Sequence, residues 1–277
     1  MKSARELLRE HGLAPKKSFG QNFLVDGEVL LAIATACVPE SERGRAFVVE
    51  LGAGLGALTS ELVARAAKLA AIERDRDLVP VLARELAASV DAGVLAIVEG
   101  DAKTVDLTAL VAGAPAGAPR VLCGNLPYQL TGPLLERAVQ HAALFDRAVF
   151  LVQKEVADRL AAEPSTKDYG ALTVFVQAAF AVRKLRLVKP GSFLPPPEVT
   201  SAVVVLDSRR PPITEETERF RSLVRAAFGA RRKTLRNAWS RLGDDVLAAA
   251  PSVGISLDAR GETLSVEDFA RLARALG

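Results

Sequence analysis

The chain has 277 residues, 49% of them hydrophobic and 25% charged, the balance of a folded globular protein with room for one large domain and a small one. No apolar run approaches the roughly 18 residues a membrane span needs, the first ten residues mix Lys, Arg and Glu without an apolar signal core, and two histidines, His11 and His141, with two distant cysteines, Cys37 and Cys123, offer no metal-ligand spacing. The expectation is a cytoplasmic, monomeric protein with buried free thiols, no metal and no membrane partner.

The net charge of +3 is unevenly spread. Residues 181–241 hold 14 Lys/Arg against 5 Asp/Glu, a net of +9, which leaves −6 on the rest. A basic stretch of this kind suggests a polyanionic partner; a solvated helical face is the plainer alternative.

In chain order, residues 1–26 form a basic, polar lead-in ending in Lys16-Lys17-Ser18-Phe19-Gly20-Gln21-Asn22-Phe23-Leu24. Short apolar runs follow at 47–51, 69–72, 95–98, 121–123 and 148–152. Each is apolar at successive positions rather than alternately, the pattern of strands covered on both faces. Helix-like stretches at 58–67, 78–89 and 133–143 lie between them, so an α/β doubly wound fold is expected. Runs at 185–189 and 200–206 read as antiparallel edge strands around a Pro-rich loop, and Arg209-Arg210-Pro211-Pro212 as a rigid linker. Helical stretches at 215–228, 232–242, 244–249 and 266–276 predict a small all-helical C-terminal domain. The division expected is 1–26, lead-in; 27–208, the α/β domain; and 213–277, the helical domain.

The first strand runs into Glu50-Leu51-Gly52-Ala53-Gly54-Leu55-Gly56. Gly52 and Gly54 permit a tight turn and a close approach to a ligand. Dinucleotide sites use G-x-G-x-x-G, which brings a pyrophosphate to a helix N-terminus. The spacing here is G-x-G-x-G with an acid before it. S-adenosylmethionine has no phosphate and carries an ammonium and a sulfonium, so an acid beside the loop suits it. Glu73 ends the second strand, where a carboxylate accepts both ribose hydroxyls, a device shared with NAD sites. Asp101, after the third, is placed to accept from the adenine amine of the cofactor; alone it would read as a helix cap.

After the fourth strand comes Asn125-Leu126-Pro127-Tyr128. The exocyclic amine of adenine is a poor nucleophile, its lone pair delocalised into the ring. The Asn125 side-chain oxygen and a backbone carbonyl of Leu126 or Pro127 are able to hold the two amine hydrogens and turn the nitrogen toward a methyl donor. Tyr128 offers a ring for the base to stack on, worth about 1–3 kcal/mol. A structural Asn-Pro turn with a core Tyr is the simpler reading.

These motifs, with Gln153-Lys154-Glu155-Val156, Phe193-Leu194-Pro195-Pro196-Pro197-Glu198-Val199 and Arg231-Arg232-Lys233-Thr234-Leu235-Arg236-Asn237, closely resemble the KsgA/RsmA family of small-subunit ribosomal RNA adenine dimethylases. The resemblance runs from about residue 15 to the C-terminal helices. It implies a Rossmann-like class I methyltransferase domain with a helical RNA-binding domain, and S-adenosylmethionine as cofactor. It implies cofactor contacts from Asn22, Leu24, Gly52, Gly54, Glu73, Asp101 and Asn125, and a role for Phe193 in closing over the target base opposite Tyr128. The implied reaction dimethylates two adjacent adenines in a hairpin loop near the 3′ end of 16S rRNA, in the small subunit or its precursor. Ala53 stands where the family more often has Pro, and Gln129-Leu130-Thr131 replaces Asn-Ile-Ser.

Lys16 and Lys17, and Arg231, Arg232, Lys233 and Arg236, most of them spaced along one helical side, are the expected phosphate contacts. Three other readings stand beside this one: a 23S rRNA dimethylase of the antibiotic-resistance type, a non-catalytic RNA-binding assembly factor, and a nicotinamide-dependent dehydrogenase. The glycine spacing and Asn125–Tyr128 disfavour the last.

Overall fold

A computed structural model describes residues 2–230 and 232–277. Its contacts divide the chain into two units, one comprising the chain up to Ala157 with Arg183–Asp207, the other Asp158–Val182 with the chain from Ser208 onward.

The first unit is built on a seven-stranded sheet. Strands β2 (Phe47–Leu51), β3 (Lys68–Glu73), β4 (Leu95–Glu99), β5 (Arg120–Asn125) and β6 (Arg147–Gln153) are parallel, and the order across the sheet is β4-β3-β2-β5-β6-β9-β7. These are the five successive-apolar runs. β2 and the centres of β5 and β6 are buried, as a sheet covered on both faces requires. β9 (Ser201–Ser208) joins β6 antiparallel, with Gln153 opposite Ser201 and Arg147 opposite Asp207. β7 (Phe180–Val188) forms the edge; it starts five residues before the apolar run that marked it. A two-stranded ladder pairs β1 (Phe23–Leu24) with β8 (Phe193–Leu194).

Helices α1 (Ala4–Glu10), α2 (Gly27–Cys37), α3 (Ala57–Val63), α4 (Val79–Glu85), α5 (Ala87–Asp91), α6 (Leu107–Ala112), α7 (Thr131–Gln140) and α8 (Lys154–Leu160) follow in order. The stretch at 78–89 is two short helices, interrupted at Leu86. The lead-in contains α1, closed by a reciprocal Ser3–Glu6 capping box. On one face of the sheet, Ile33 and Ala34 of α2 and Leu58 and Leu62 of α3 share a core with Val48, Cys123, Val149 and Val203.

In the second unit α9 (Ala171–Ala179) packs with α10 (Glu218–Gly229) and α13 (Val266–Leu276), completed by α11 (Leu235–Trp239) and α12 (Asp244–Ser252). Phe175 meets Phe220 edge-on at 6.0 Å, and the buried Trp239 donates its indole N–H to the Leu223 carbonyl at 3.0 Å. One expectation is corrected here. The helix expected from 232 begins only at Leu235, with Thr234 as its N-cap in extended backbone. Arg232 and Lys233 therefore precede the helix and do not share a helical side with Arg236, while Leu235 and Trp239 are the buried residues of α11.

Candidate active site

A crevice opens at the carboxyl ends of β2, β3, β4 and β5, lined by Gly52 and Gly54, by Glu73 and Arg74, by Gly100 to Ala102, and by Asn125 to Leu130. Residues 18–23 of the N-terminal segment form its remaining wall. An open α/β sheet offers its ligand site at these strand ends.

The glycine loop is tied to the next strand. Gly54, at φ +58°, donates its N–H to Glu73 Oε2 at 2.7 Å, and the Asp75 N–H goes to Oε1 at 2.7 Å. Burial raises the pKa of Glu73 against these two donors. A Cβ at Gly124 would collide with the Leu51 carbonyl oxygen, so only glycine lets β5 approach β2 this closely just before Asn125.

Beside the loop lies a second cavity, lined by Leu24, Glu50, Gly52, Ala53, Gly54, Ser60 and Asn125 among others. Glu50 is 1% exposed, its Oε2 has no hydrogen-bond partner among the described residues, and burial pushes its pKa up to about 7. An unpaired buried carboxylate on a cavity wall is costly and suits a cationic ligand group.

The N-terminal segment is clamped over the crevice. Lys16 Nζ reaches Asp75 Oδ1 at 2.5 Å and Asp77 Oδ2 at 2.6 Å, and Gln21 Nε2 donates to Asp75 Oδ2 at 2.7 Å. Burial opposes ionisation of Asp75, but the Lys16 and Gln21 bonds hold its pKa below the ordinary value. Two cations approach the Phe19 ring, Lys16 Nζ at 5.4 Å and the Arg74 guanidinium at 5.2 Å from its centroid.

Asn125 Nδ2 donates to the Asn22 carbonyl at 2.8 Å. An amide that spends its donor end this way leaves its oxygen as an acceptor. The Tyr128 hydroxyl pairs with the buried Ser201 Oγ at 2.7 Å, and burial raises its pKa. The Pro127 carbonyl accepts from the Leu130 N–H at 2.8 Å and the Thr131 hydroxyl at 3.2 Å.

Residues 12–276 match the ribosomal RNA adenine dimethylase family. The chain belongs to that family. It is an S-adenosylmethionine-dependent methyltransferase of the class I fold. Similar proteins include the ribosomal RNA small subunit methyltransferases A of Anaeromyxobacter sp. (strain K), 46% identical over 99% of this chain and 98% of that one, and of Myxococcus xanthus, 46% identical over 100% and 96%. Among solved structures, the 23S rRNA methyltransferase ErmE is 27% identical with a TM-score of 0.66, covering 92% of this chain and 99% of its own. A dimethyladenosine transferase from Plasmodium falciparum superposes with a TM-score of 0.73 over 90% of this chain and 95% of its own at 24% identity, a likeness of fold.

In this dimethylase Asn22, Gly52, Gly54, Glu73, Asp101 and Asn125 all line the crevice, with Leu126, Pro127 and Tyr128; Leu24 lines the second cavity. Phe193 lies elsewhere. It is 3% exposed, belongs to the core cluster containing Leu24 and Ile33, and does not line the crevice. The β1–β8 ladder sets Leu24 opposite Phe193, and directly opposed residues share a face. The aromatic rings on the crevice besides Tyr128 are Phe19 and Phe23, hidden in the sequence within a segment that reads as basic lead-in. Of the lysines expected at phosphate, Lys17 is exposed and Lys16 is committed to Asp75 and Asp77. Arg232 and Lys233 are exposed, Arg236 is 58% exposed with Asp258 at 3.9 Å, and Arg231 lies outside the described residues. No helix among the described residues is long and apolar enough to cross a membrane.

Proposed function

We propose that this dimethylase transfers methyl groups to the exocyclic N6 of two adjacent adenines in a hairpin loop near the 3′ end of 16S rRNA, acting as a cytoplasmic monomer on the small subunit or its precursor. The full-length, 46% likeness to small-subunit methyltransferases supports this substrate over a 23S one. The observation that carries the chemistry is the orientation of the Asn125 amide, with Nδ2 on the Asn22 carbonyl.

When bound, S-adenosylmethionine supplies an electrophilic methyl on a sulfonium. Glu73 is positioned to accept the ribose hydroxyls and Asp101 to accept from the cofactor adenine. Glu50, with Asn22 and Leu24 nearby, faces the cavity suited to the amino-acid end. Asn125 Oδ1 accepts one hydrogen of the target amine. The Pro127 carbonyl is already taken up by Leu130 and Thr131, so the Leu126 carbonyl is the better second acceptor. Together they aim the nitrogen lone pair, a contribution of orientation and electrostatics. Tyr128, anchored through Ser201, presents its ring to a flipped base. No strong base is required, because the cationic product amine loses its proton readily. The helical unit, through Arg231, Arg232, Lys233 and Arg236, and Lys17 of the lead-in supply phosphate contacts that give affinity and register.

The test is incubation with labelled S-adenosylmethionine and undermethylated small subunits, followed by mapping of the modified nucleotides. Label on two adjacent adenines of one 16S hairpin loop is expected. Label confined to 23S RNA, or none, overturns the proposal.

A further inference from the structure

Arg137 reaches from α7 to the turn that follows β4. Its guanidinium donates to the carbonyl oxygens of Lys103 and Val105, and its Nε is buried without a hydrogen-bond partner among the described residues. The same turn is closed by Asp101, whose Oδ1 accepts the Lys103 N–H at 2.9 Å and whose carbonyl accepts from the N–H groups of Thr104 at 2.9 Å and Val105 at 3.0 Å. Residues 103–105 are thus held from one side by Asp101 and from the other by Arg137. A guanidinium fork suits this task, because two donors in one rigid plane span two carbonyls that a single ammonium would not.

The other end of α7 belongs to the target-base turn. The helix begins at Thr131, directly after the turn Tyr128–Leu130, and the Thr131 hydroxyl donates to the Pro127 carbonyl at 3.2 Å. One helix therefore touches the loop bearing Asp101 through Arg137 and the loop bearing Asn125 and Tyr128 through Thr131.

We propose that Arg137 is a positioning residue, which fixes the Asp101 carboxylate at the cofactor-adenine end of the crevice. The inference rests on the reading of Asp101 as the acceptor for the cofactor adenine. Burial disfavours the Arg137 charge, while Asp106 and Asp101 favour it; two acids nearby make the half-buried guanidinium tolerable where its direct partners are neutral carbonyls.

The experiment measures S-adenosylmethionine affinity by calorimetry for the wild type, Arg137→Ala, Arg137→Lys, Asp101→Ala and the Arg137→Ala/Asp101→Ala double variant. It is repeated with a cofactor whose purine bears hydrogen in place of the 6-amino group. Arg137→Ala is expected to weaken binding about tenfold, within the range for a misplaced polar contact, and Asp101→Ala by at least as much. The double variant should be no weaker than Asp101→Ala alone, since Arg137 acts through Asp101. Arg137→Lys should fall between wild type and Arg137→Ala, and carries the comparison if the alanine variant does not fold. With the desamino cofactor neither single substitution should matter, and RNA affinity should be unchanged throughout. Arg137 variants at wild-type affinity, full additivity with Asp101→Ala, or equal losses for both cofactors would reduce Arg137 to a structural staple while leaving Asp101 in place. An Asp101→Ala variant that binds normally removes the adenine reading itself, and Arg137 with it.

Discussion

In the crevice, Glu73 is 7% exposed and both its carboxylate oxygens accept backbone N–H groups; on α11, Arg236 is 58% exposed and has Asp258 at 3.9 Å. The first arrangement is organised before any ligand arrives, so little ordering entropy is lost on binding and each polar contact counts heavily. The second leaves long cationic side chains free to adjust, as phosphate contacts do, each worth little alone and screened by salt. Substitutions should therefore act sharply and separately in the crevice, and weakly and additively in the basic turn.

The sharpest test is Asn125→Ala. Loss of an acceptor used mainly in the transition state should lower kcat by about 10²–10³, or 2.7–4 kcal/mol, by analogy with oxyanion-hole donors, with little change in the affinity of either ligand. Single-turnover methyl transfer on saturating substrate, with binding measured separately, checks it; near-normal transfer would break the contrast.

Glu73→Ala and Asp101→Ala should each weaken cofactor binding by about 1–3 kcal/mol. They should differ in melting temperature. Glu73→Ala also strands the N–H groups of Gly54 and Asp75 and should melt earlier than Asp101→Ala, whose side chain is 24% exposed. Equal melting temperatures would show that the glycine loop does not depend on Glu73.

Glu50 gives a pH test. Its pKa in the folded chain is about 7 against an ordinary 4.5, so the folded state binds the proton more tightly. That contribution to stability is present below about pH 4.5 and is lost as pH rises toward 7. A cofactor ammonium needs the carboxylate, so binding should release a proton, and affinity should climb by up to about tenfold per pH unit below the folded pKa. Glu50→Gln should flatten this profile. Calorimetry in buffers of different ionisation enthalpy reads the proton directly; no release at pH 6–7 would place the ammonium elsewhere.

The smallest effect per residue belongs to the helical unit. Replacing Arg232, Lys233 and Arg236 together should reduce the salt slope of RNA binding by about one unit per lost phosphate contact and leave cofactor affinity unchanged. A slope that does not move makes the cluster a solvated face.

The central parallel strands are legible because double-sided burial writes an unbroken apolar run, as in residues 148–152. The glycine loop and Asn125–Tyr128 were readable because their chemistry is local. Other features depend on partners far along the chain. Asn22 and Asn125 meet across 103 residues, and nothing in Asp158–Val182 advertises that these residues pack with helices beginning at Glu218. The start of α11 is not legible in the sequence, because two buried residues, Leu235 and Trp239, set no firm boundary and the basic run before them extends the helical pattern. Two helices carry local start signals: Ser3 three residues before Glu6 in α1, and Asp26, whose carboxylate accepts from the N–H groups of Glu28 and Val29, at the start of α2.

The bond from Asn125 Nδ2 to the Asn22 carbonyl bears on which base the crevice admits. Turning the amide over would break this bond, so Asn125 Oδ1 is held as an acceptor for an incoming purine. A 6-amino purine answers with hydrogen, whereas a 6-keto purine would bring oxygen against oxygen and leave both without a donor. A site built to pair with a polar group rejects the analogue lacking that group far more strongly than an apolar pocket rejects a missing methylene. With Asn125 in the role proposed for it, adenine would be separated from guanine and hypoxanthine by a hydrogen bond that touches none of them.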